Sequence, residues 1–220
     1  MLYGFYMKVK MKEKSCRYCK NKFTPERNFQ QTCNNFDCAI GLVKFNQAKK
    51  AKKDWVKEKA ERKEKIMKKG DWEKLLQDQV NHIARLLDKG CNCISCNPNT
   101  PIQKTFGGHL HAVGGNAPLR YNLHIIHRQC FSCNGKKGGV PLLYLEGIVR
   151  EYGQVYADYI HYDIKRKYTY LGLTVETIKE KIIISKLIKK ELIELNNTYT
   201  PTERIELRHE YNKRIGIYDN

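Results

Sequence analysis

Three groups of residues within about forty positions of one another carry the side chains best suited to chemistry: Cys93-x2-Cys96, His109-x-His111 and Cys130-x2-Cys133-Asn134. Four thiolates in two such pairs can close a tetrahedral Zn2+ site, and the 33 residues between Cys96 and Cys130 become a loop or hairpin pinned at both ends. A closed four-sulfur site has no open coordination position, so this zinc stiffens the scaffold and leaves the chemistry to its neighbours. Those neighbours suit phosphodiester hydrolysis. A neutral histidine serves as a base near pH 7. A hard cation such as Mg2+, held by an Asn oxygen, a second His or a carboxylate, and by the phosphate itself, offsets the charge that develops.

The elements that position these groups can be read from the pattern. Phe106 to Ala112 and Tyr121 to Gln129 are predicted as the two strands of a hairpin, joined through the turn residues Gly114-Gly115-Asn116 and Pro118. A two-residue alternation then directs His109 and His111 to one face. The second knuckle is expected to start a short helix with Asn134 in its first turn. Upstream, Trp72, Leu75, Leu76, Gln79, Val80, Ile83, Leu86 and Leu87 recur at three- and four-residue steps, predicting a helix over 71–89 capped near Gly90. This helix is expected to be core, with no chemistry of its own. Downstream, Pro141 opens a helix to about Tyr152, where Gly153 breaks it, and another runs from about Gln154 to Lys167. Thr174 caps a long one to about Leu195, and Thr200-Pro201-Thr202-Glu203 is a capping box that starts the last.

A second cysteine set, Cys16-x2-Cys19 and Cys33-x4-Cys38, has spacings that close another four-sulfur zinc site. An odd total of nine cysteines, mostly in pairs, favours metal over disulfides and leaves Cys91 as an unligated thiol. From about Cys38 to Gly70 a single helix is expected. Between Lys44 and Lys69 it carries twelve Lys or Arg against four Asp or Glu. Such a run suits a solvated spacer and a phosphate-tracking arm equally. The whole chain of 220 residues has a net charge of +18, a field that attracts polyanions. No run of eighteen apolar residues suggests a membrane span. The short apolar opening Met1-Leu2-Tyr3-Gly4-Phe5-Tyr6 lacks the flanks of a signal peptide, so a cytoplasmic protein is expected.

The segments Gly108-His109-Leu110-His111, Ala117-Pro118-Leu119-Arg120-Tyr121-Asn122 and His127-Arg128-Gln129-Cys130-Phe131-Ser132-Cys133-Asn134-Gly135-Lys136-Lys137-Gly138-Gly139 resemble the lambdoid phage NinG (Rap) recombination proteins. The order of parts, from first knuckle through basic helix to the Trp72 helix and Cys93, extends that resemblance over most of the chain. It implies a structure-specific endonuclease acting on branched recombination intermediates such as D-loops and Holliday junctions. The central site is also similar to phage endonuclease VII, a ββα-metal (His-Me finger, HNH) resolvase. By that likeness His109 is the general base, Asn134 a metal ligand, and His111 an aid to the phosphate or metal. Two positions depart from the pattern: Gly108 stands where a metal-binding Asp is usual, and Ile125 where an Asn often orients the catalytic His. Asn122 or His124 are candidates for the orienting role, and Glu146 or Glu151 for the metal shell.

The expected architecture is α+β and mainly helical. A zinc-stabilised ββα-metal, HNH-like treble-clef module is flanked by an N-terminal zinc knuckle with a long basic helix and by C-terminal helices. The parts divide as a four-cysteine zinc knuckle over 1–43, a basic helical arm over 44–70, the nuclease module over 71–153, and a helical region over 154–220. Two structural Zn2+ ions and a catalytic Mg2+ or similar cation are the expected cofactors. Branched DNA is the expected partner, contacted by Lys49, Lys50, Lys52, Lys53, Arg120, Arg128, Lys136 and Lys137, with no membrane role and a possible homodimer. The alternative reading is a non-catalytic zinc-finger accessory protein of recombination.

Overall fold

The computed structural model describes residues 11–97, 101 and 104–218, and the apolar opening segment lies outside them. The chain divides into two compact units, one ending at Met67 and one beginning at Lys68.

In the first unit, β1 (Lys14–Ser15) and β2 (Lys22–Phe23) form a minimal antiparallel pair around the first knuckle. Asn35 caps α1 (Phe36–Ile66), its side chain accepting from the Asp37 N–H at 2.7 Å. Only Cys38 of this helix is buried, so α1 has almost no packed face. Tyr18 lies directly over Gly41, where a β-carbon would run into its ring, which explains a glycine inside a helix. Exposed pairs such as Arg62–Glu58 at 2.7 Å run along its surface, each worth only a few tenths of a kcal/mol. The single helix expected to reach Gly70 instead ends at Ile66. Met67 and Lys68 are extended, and the Asp71 carboxylate accepts from the Lys68 N–H at 2.9 Å to start a new helix.

The second unit is built on that helix, α2 (Lys69–Leu87). Its buried residues Leu76, Val80, Ile83, Ala84 and Leu87 follow the expected stripe. They pack on α6 (Val175–Leu195), which buries Ile178, Ile182, Ile188 and Leu192, and on a two-stranded hairpin. The hairpin pairs β3 (Thr105–His109) with β4 (Ile126–Cys130) in a register running from Thr105↔Cys130 to His109↔Ile126. Both strands are shorter than predicted. Residues 117–119 and 123–125 are 3-10 turns, because α7 (Pro201–Ile215) grips this stretch. Asn212 accepts from the Leu123 N–H at 2.9 Å and donates to Asn122, which in turn accepts from the His124 N–H.

The helices after the hairpin begin where the sequence places them. Pro141 opens α3 (Pro141–Tyr152), and Gly153 ends it at φ +87°. A continuous helical segment follows, α4 (Gln154–Asp158), a π-turn over Tyr159–Asp163 and α5 (Ile164–Lys167). Thr174 caps α6, and Thr200 and Glu203 cap α7 reciprocally. Gly147 lets α3 sit directly on the knuckle, since a β-carbon there would meet the Ile94 carbonyl.

One ion pair ties the unit together. Asp88, just past α2, accepts from the Arg208 guanidinium of α7 at 2.8 Å and from the Arg128 N–H of β4 at 2.9 Å. Arg208 is fully buried and also donates to the Leu123 carbonyl at 3.1 Å. Burial opposes its charge, but Asp88 and the surrounding oxygens outweigh that and hold the guanidinium charged. Removing one partner strands the other in the core, so Arg208→Met is expected to lose about 3–5 kcal/mol of stability in urea unfolding. Asp88→Asn combined with Arg208→Met should cost less than the sum of the two single changes.

Candidate functional site

Both cysteine sets gather as expected. The ligand atoms of Cys16, Cys19, Cys33 and Cys38, and of Cys93, Cys96, Cys130 and Cys133, each lie within 4.8 Å of one another. Sulfurs about 2.3 Å from one tetrahedral ion sit roughly 3.8 Å apart. The Cys19–Cys33 and Cys96–Cys130 sulfur separations of 3.9 and 3.6 Å fit that geometry and not a disulfide. Burial pushes the Cys133 thiol up to about 11. Burial also opposes the Cys93 thiolate, but backbone N–H groups of Cys130, Cys96 and Ser95 aimed at that sulfur outweigh it and lower its pKa. Such donors suit a metal-bound thiolate.

His109 closes β3. Alternation along the strand turns Thr105, Gly107 and His109 toward α2; a β-carbon at 107 would press on Asn81 of that helix. The His109 Nε2 lies 3.1 Å from the Arg120 carbonyl and 2.9 Å from the Gln77 carboxamide. The Arg120 carbonyl only accepts and the Gln77 amide nitrogen only donates, so each tautomer of the ring serves one of the two through Nε2. Burial lowers the pKa of this imidazole below the usual histidine value, helped by the Arg120 charge, and bonds to the Arg120 and Gly107 carbonyls partly oppose the shift. The ring is therefore neutral and oriented at pH 7. The expectation that α2 is core alone is corrected: Gln77 holds this ring, and Glu73 holds Arg120.

Gly108 faces the other side of the hairpin. The space its side chain would take is filled by the end of Gln129. The Gln129 amide nitrogen donates to Ser95 at 2.6 Å and to the Gly139 carbonyl at 2.7 Å, leaving its buried oxygen beside Gly108 without a partner among the described residues. An aspartate at 108 would displace this side chain. Asn134 lies in the π-turn Ser132–Lys136 directly after the knuckle, partly exposed, and its carboxamide has no hydrogen-bond partner among the described residues. The hydrogen bonds of His109 go elsewhere, and its rung lies four from the Thr105–Cys130 rung, roughly 13 Å along the strand. The chain beyond the knuckle folds back along the Gly108 face, where Gln129 binds Gly139.

Other expected residues separate. β3 ends at His109, so His111 leaves the strand and does not share its face. Its ring stacks obliquely on His161 at 5.4 Å, and burial lowers its pKa, opposed by a bond to the Ile160 carbonyl. Arg128 is only 3% exposed, hydrogen-bonded to Asp88, and so is not a phosphate contact. Arg120 is partly buried and paired with Glu73 at 3.0 Å. Lys49, Lys50, Lys52, Lys53, Lys136 and Lys137 are all exposed. His127 is buried with its Nδ1 2.9 Å from the Tyr144 hydroxyl. Glu146 is exposed, and Glu151 is 3.6 Å from Arg204. Cys91 stays outside the tetrad, against Arg204, and lines a cavity of about 10 Å3 with Asp88, His127 and Glu151.

The profile of the Bacteriophage Lambda NinG protein family matches residues 8–196, most of the chain. The chain belongs to the NinG family. Among curated NinG proteins, that of Escherichia phage lambda is 35% identical over 89 residues, 40% of this chain and 43% of that protein. Protein ninG of Salmonella phage P22 is 34% identical over 95 residues, 43% of this chain and 46% of that protein. The matched stretch thus spans less than half the length of these relatives. No solved structure matches.

Gln77 and Gln129 were missed by sequence reasoning. Gln77 sits on the helix facing β3, and Gln129 stands beside a side-chain-free position; neither has a motif of its own. Metal analysis of the purified protein is expected to find two Zn2+ per chain. Cys133→Ser should lose one ion and unfold the second unit, whereas Cys91→Ser should keep both.

Proposed function

We propose that this NinG-family protein is a metal-dependent endonuclease that hydrolyses phosphodiester bonds in branched DNA recombination intermediates in the host cytoplasm. The observation that carries the reading is His109: a neutral imidazole at the end of a hairpin pinned by a cysteine tetrad, held beside the Gln77 amide and the Arg120 carbonyl. The hairpin and Gln77 fix the ring. The imidazole takes the proton of the attacking water, and burial keeps it unprotonated at pH 7. Asn134 would hold Mg2+ or a similar divalent cation, which supplies positive charge to the phosphate oxygens when bound. The exposed lysines of α1 and those after the knuckle draw in the DNA backbone. Junctions such as D-loops and four-way crossings fit the family context, and a two-fold junction suits a homodimer.

A second reading, a zinc-dependent DNA-binding accessory protein, is favoured by one feature: Gln129 fills the place of the missing carboxylate, and His109 lies under α2 and not against Asn134. A nicking assay on a four-way junction with Mg2+ decides between them. His109→Ala is expected to lower the rate about 10² to 10⁴-fold while binding and zinc content persist. Because burial lowers the His109 pKa, the acid limb of the wild-type rate should fall below pH 6.5, the ordinary histidine value. Wild-type nicking by His109→Ala would instead establish the accessory role.

Phosphate binding through α1 predicts a steep salt dependence. Neutralising Lys49, Lys50, Lys52 and Lys53 together should flatten the log–log slope by up to about four, near 0.9 for each phosphate no longer neutralised. Junction preference should not change. Titrations by fluorescence anisotropy at several salt concentrations measure both.

A further inference from the structure

The face of the hairpin that carries Gly108 ends in two aromatic rings that the core does not use. Phe106 of β3 is 43% exposed, and Phe131, inside the second knuckle, is 54% exposed. Their centroids are 5.9 Å apart with planes tilted by 43°. Phe131 rests on Gly135, whose missing β-carbon leaves room for the ring. The Lys136 ammonium lies 5.8 Å from the Phe131 centroid, and Lys104 and Lys137 are exposed on the same short segments.

Two large apolar rings left in water and flanked by lysines do not shield a core. A nucleobase is apolar on its face and tied to a phosphate, so it matches both features. Base–aromatic stacking needs a base freed from its neighbours. In an intact duplex both faces of every base are covered, whereas a branch point or single strand offers open ones. We propose that Phe106 and Phe131 form a stacking platform for an unpaired nucleobase, with Lys136 and Lys137 holding the adjacent phosphates. This rests on the reading of the protein as a DNA-binding enzyme and adds a source for its choice of branched over linear DNA. The tetrad fixes the platform from beneath: Phe131 lies between two metal-ligating cysteines, and Phe106 follows Thr105, which pairs with Cys130.

The test uses full-length zinc-loaded protein without Mg2+, so no cleavage is required. The probes are a single-stranded oligonucleotide and a fork, each with 2-aminopurine at the unpaired position, and a blunt duplex of the same length. Wild type should quench the 2-aminopurine of single strand and fork on binding. Phe131→Leu and Phe106→Leu keep an apolar cover over the knuckle and remove the ring. Each should lose about tenfold in affinity for single strand and fork, toward the lower end of the range for one stacked base, with duplex affinity and zinc content unchanged. Phe131→Trp should restore both affinity and quenching. Absence of quenching by wild type, or leucine variants that match wild type on all three probes, overturns the platform. Loss on all three probes alike also overturns it, since that marks a structural role. A single strand bound with quenching but no fork preference sustains the platform and removes the branched-DNA reading, so the two fail separately.

Discussion

Asp88 is the point on which the second unit turns. Its two carboxylate oxygens receive the Arg208 guanidinium and the Arg128 backbone, so α2, β4 and α7 meet at one buried group. An ion pair of this kind, taken out of water, is stabilising only when each charge has its partners. Arg208 meets that demand with further bonds to the carbonyls of Leu123 and Ile126. The stretch between the hairpin strands is therefore held by the last helix of the chain. The candidate base at the end of β3 inherits its position from it, because Arg120, whose carbonyl tethers His109, lies on that stretch.

Close backbone approach is the second constraint. Gly107 lets the hairpin lie against Asn81 of α2, Gly147 lets α3 lie against the first knuckle of the central tetrad, and Gly108 makes room for Gln129. At Gly107 and Gly147 a β-carbon would meet backbone, and at Gly108 it would meet the end of the Gln129 side chain. Together with the tetrad these glycines press a short hairpin between two helices. The sheet has only two strands and would be marginal alone.

That compression sets the electrostatics. His109, His124 and His127 all lie in or beside the hairpin, and burial lowers the pKa of each, to about 3 for His124. His124 and His127 are committed to tyrosine hydroxyls, at 2.9 Å in each case. His109 alone among them is tied to a backbone carbonyl and a carboxamide at the edge of the packed region. The +18 charge of the chain is carried largely elsewhere, on exposed lysines, so the low-dielectric site and the positively charged surface are separate features.

Local signals were enough for much of this protein. The two tetrads follow from cysteine spacing, since two-residue gaps bend the backbone around one ion. Thr174, Thr200 with Glu203, Pro141 and Gly153 set helix ends through bonds and dihedrals reaching only three or four residues. The stripe of α2 was visible because a buried helix face repeats every 3.6 residues. What the sequence did not determine depends on residues far apart in the chain. Strand length was set by Asn212 gripping Asn122 and Leu123. That end of the strand removed His111 from the face of His109. Burial of Arg128 came from Asp88, forty residues earlier. Gln77 and Gln129 acquired their places only when α2 and the glycine faces of β3 came together. Composition marks an arginine as charged and a histidine as a base; whether water, a carboxylate or a carbonyl meets it is decided by the tertiary contacts that surround it.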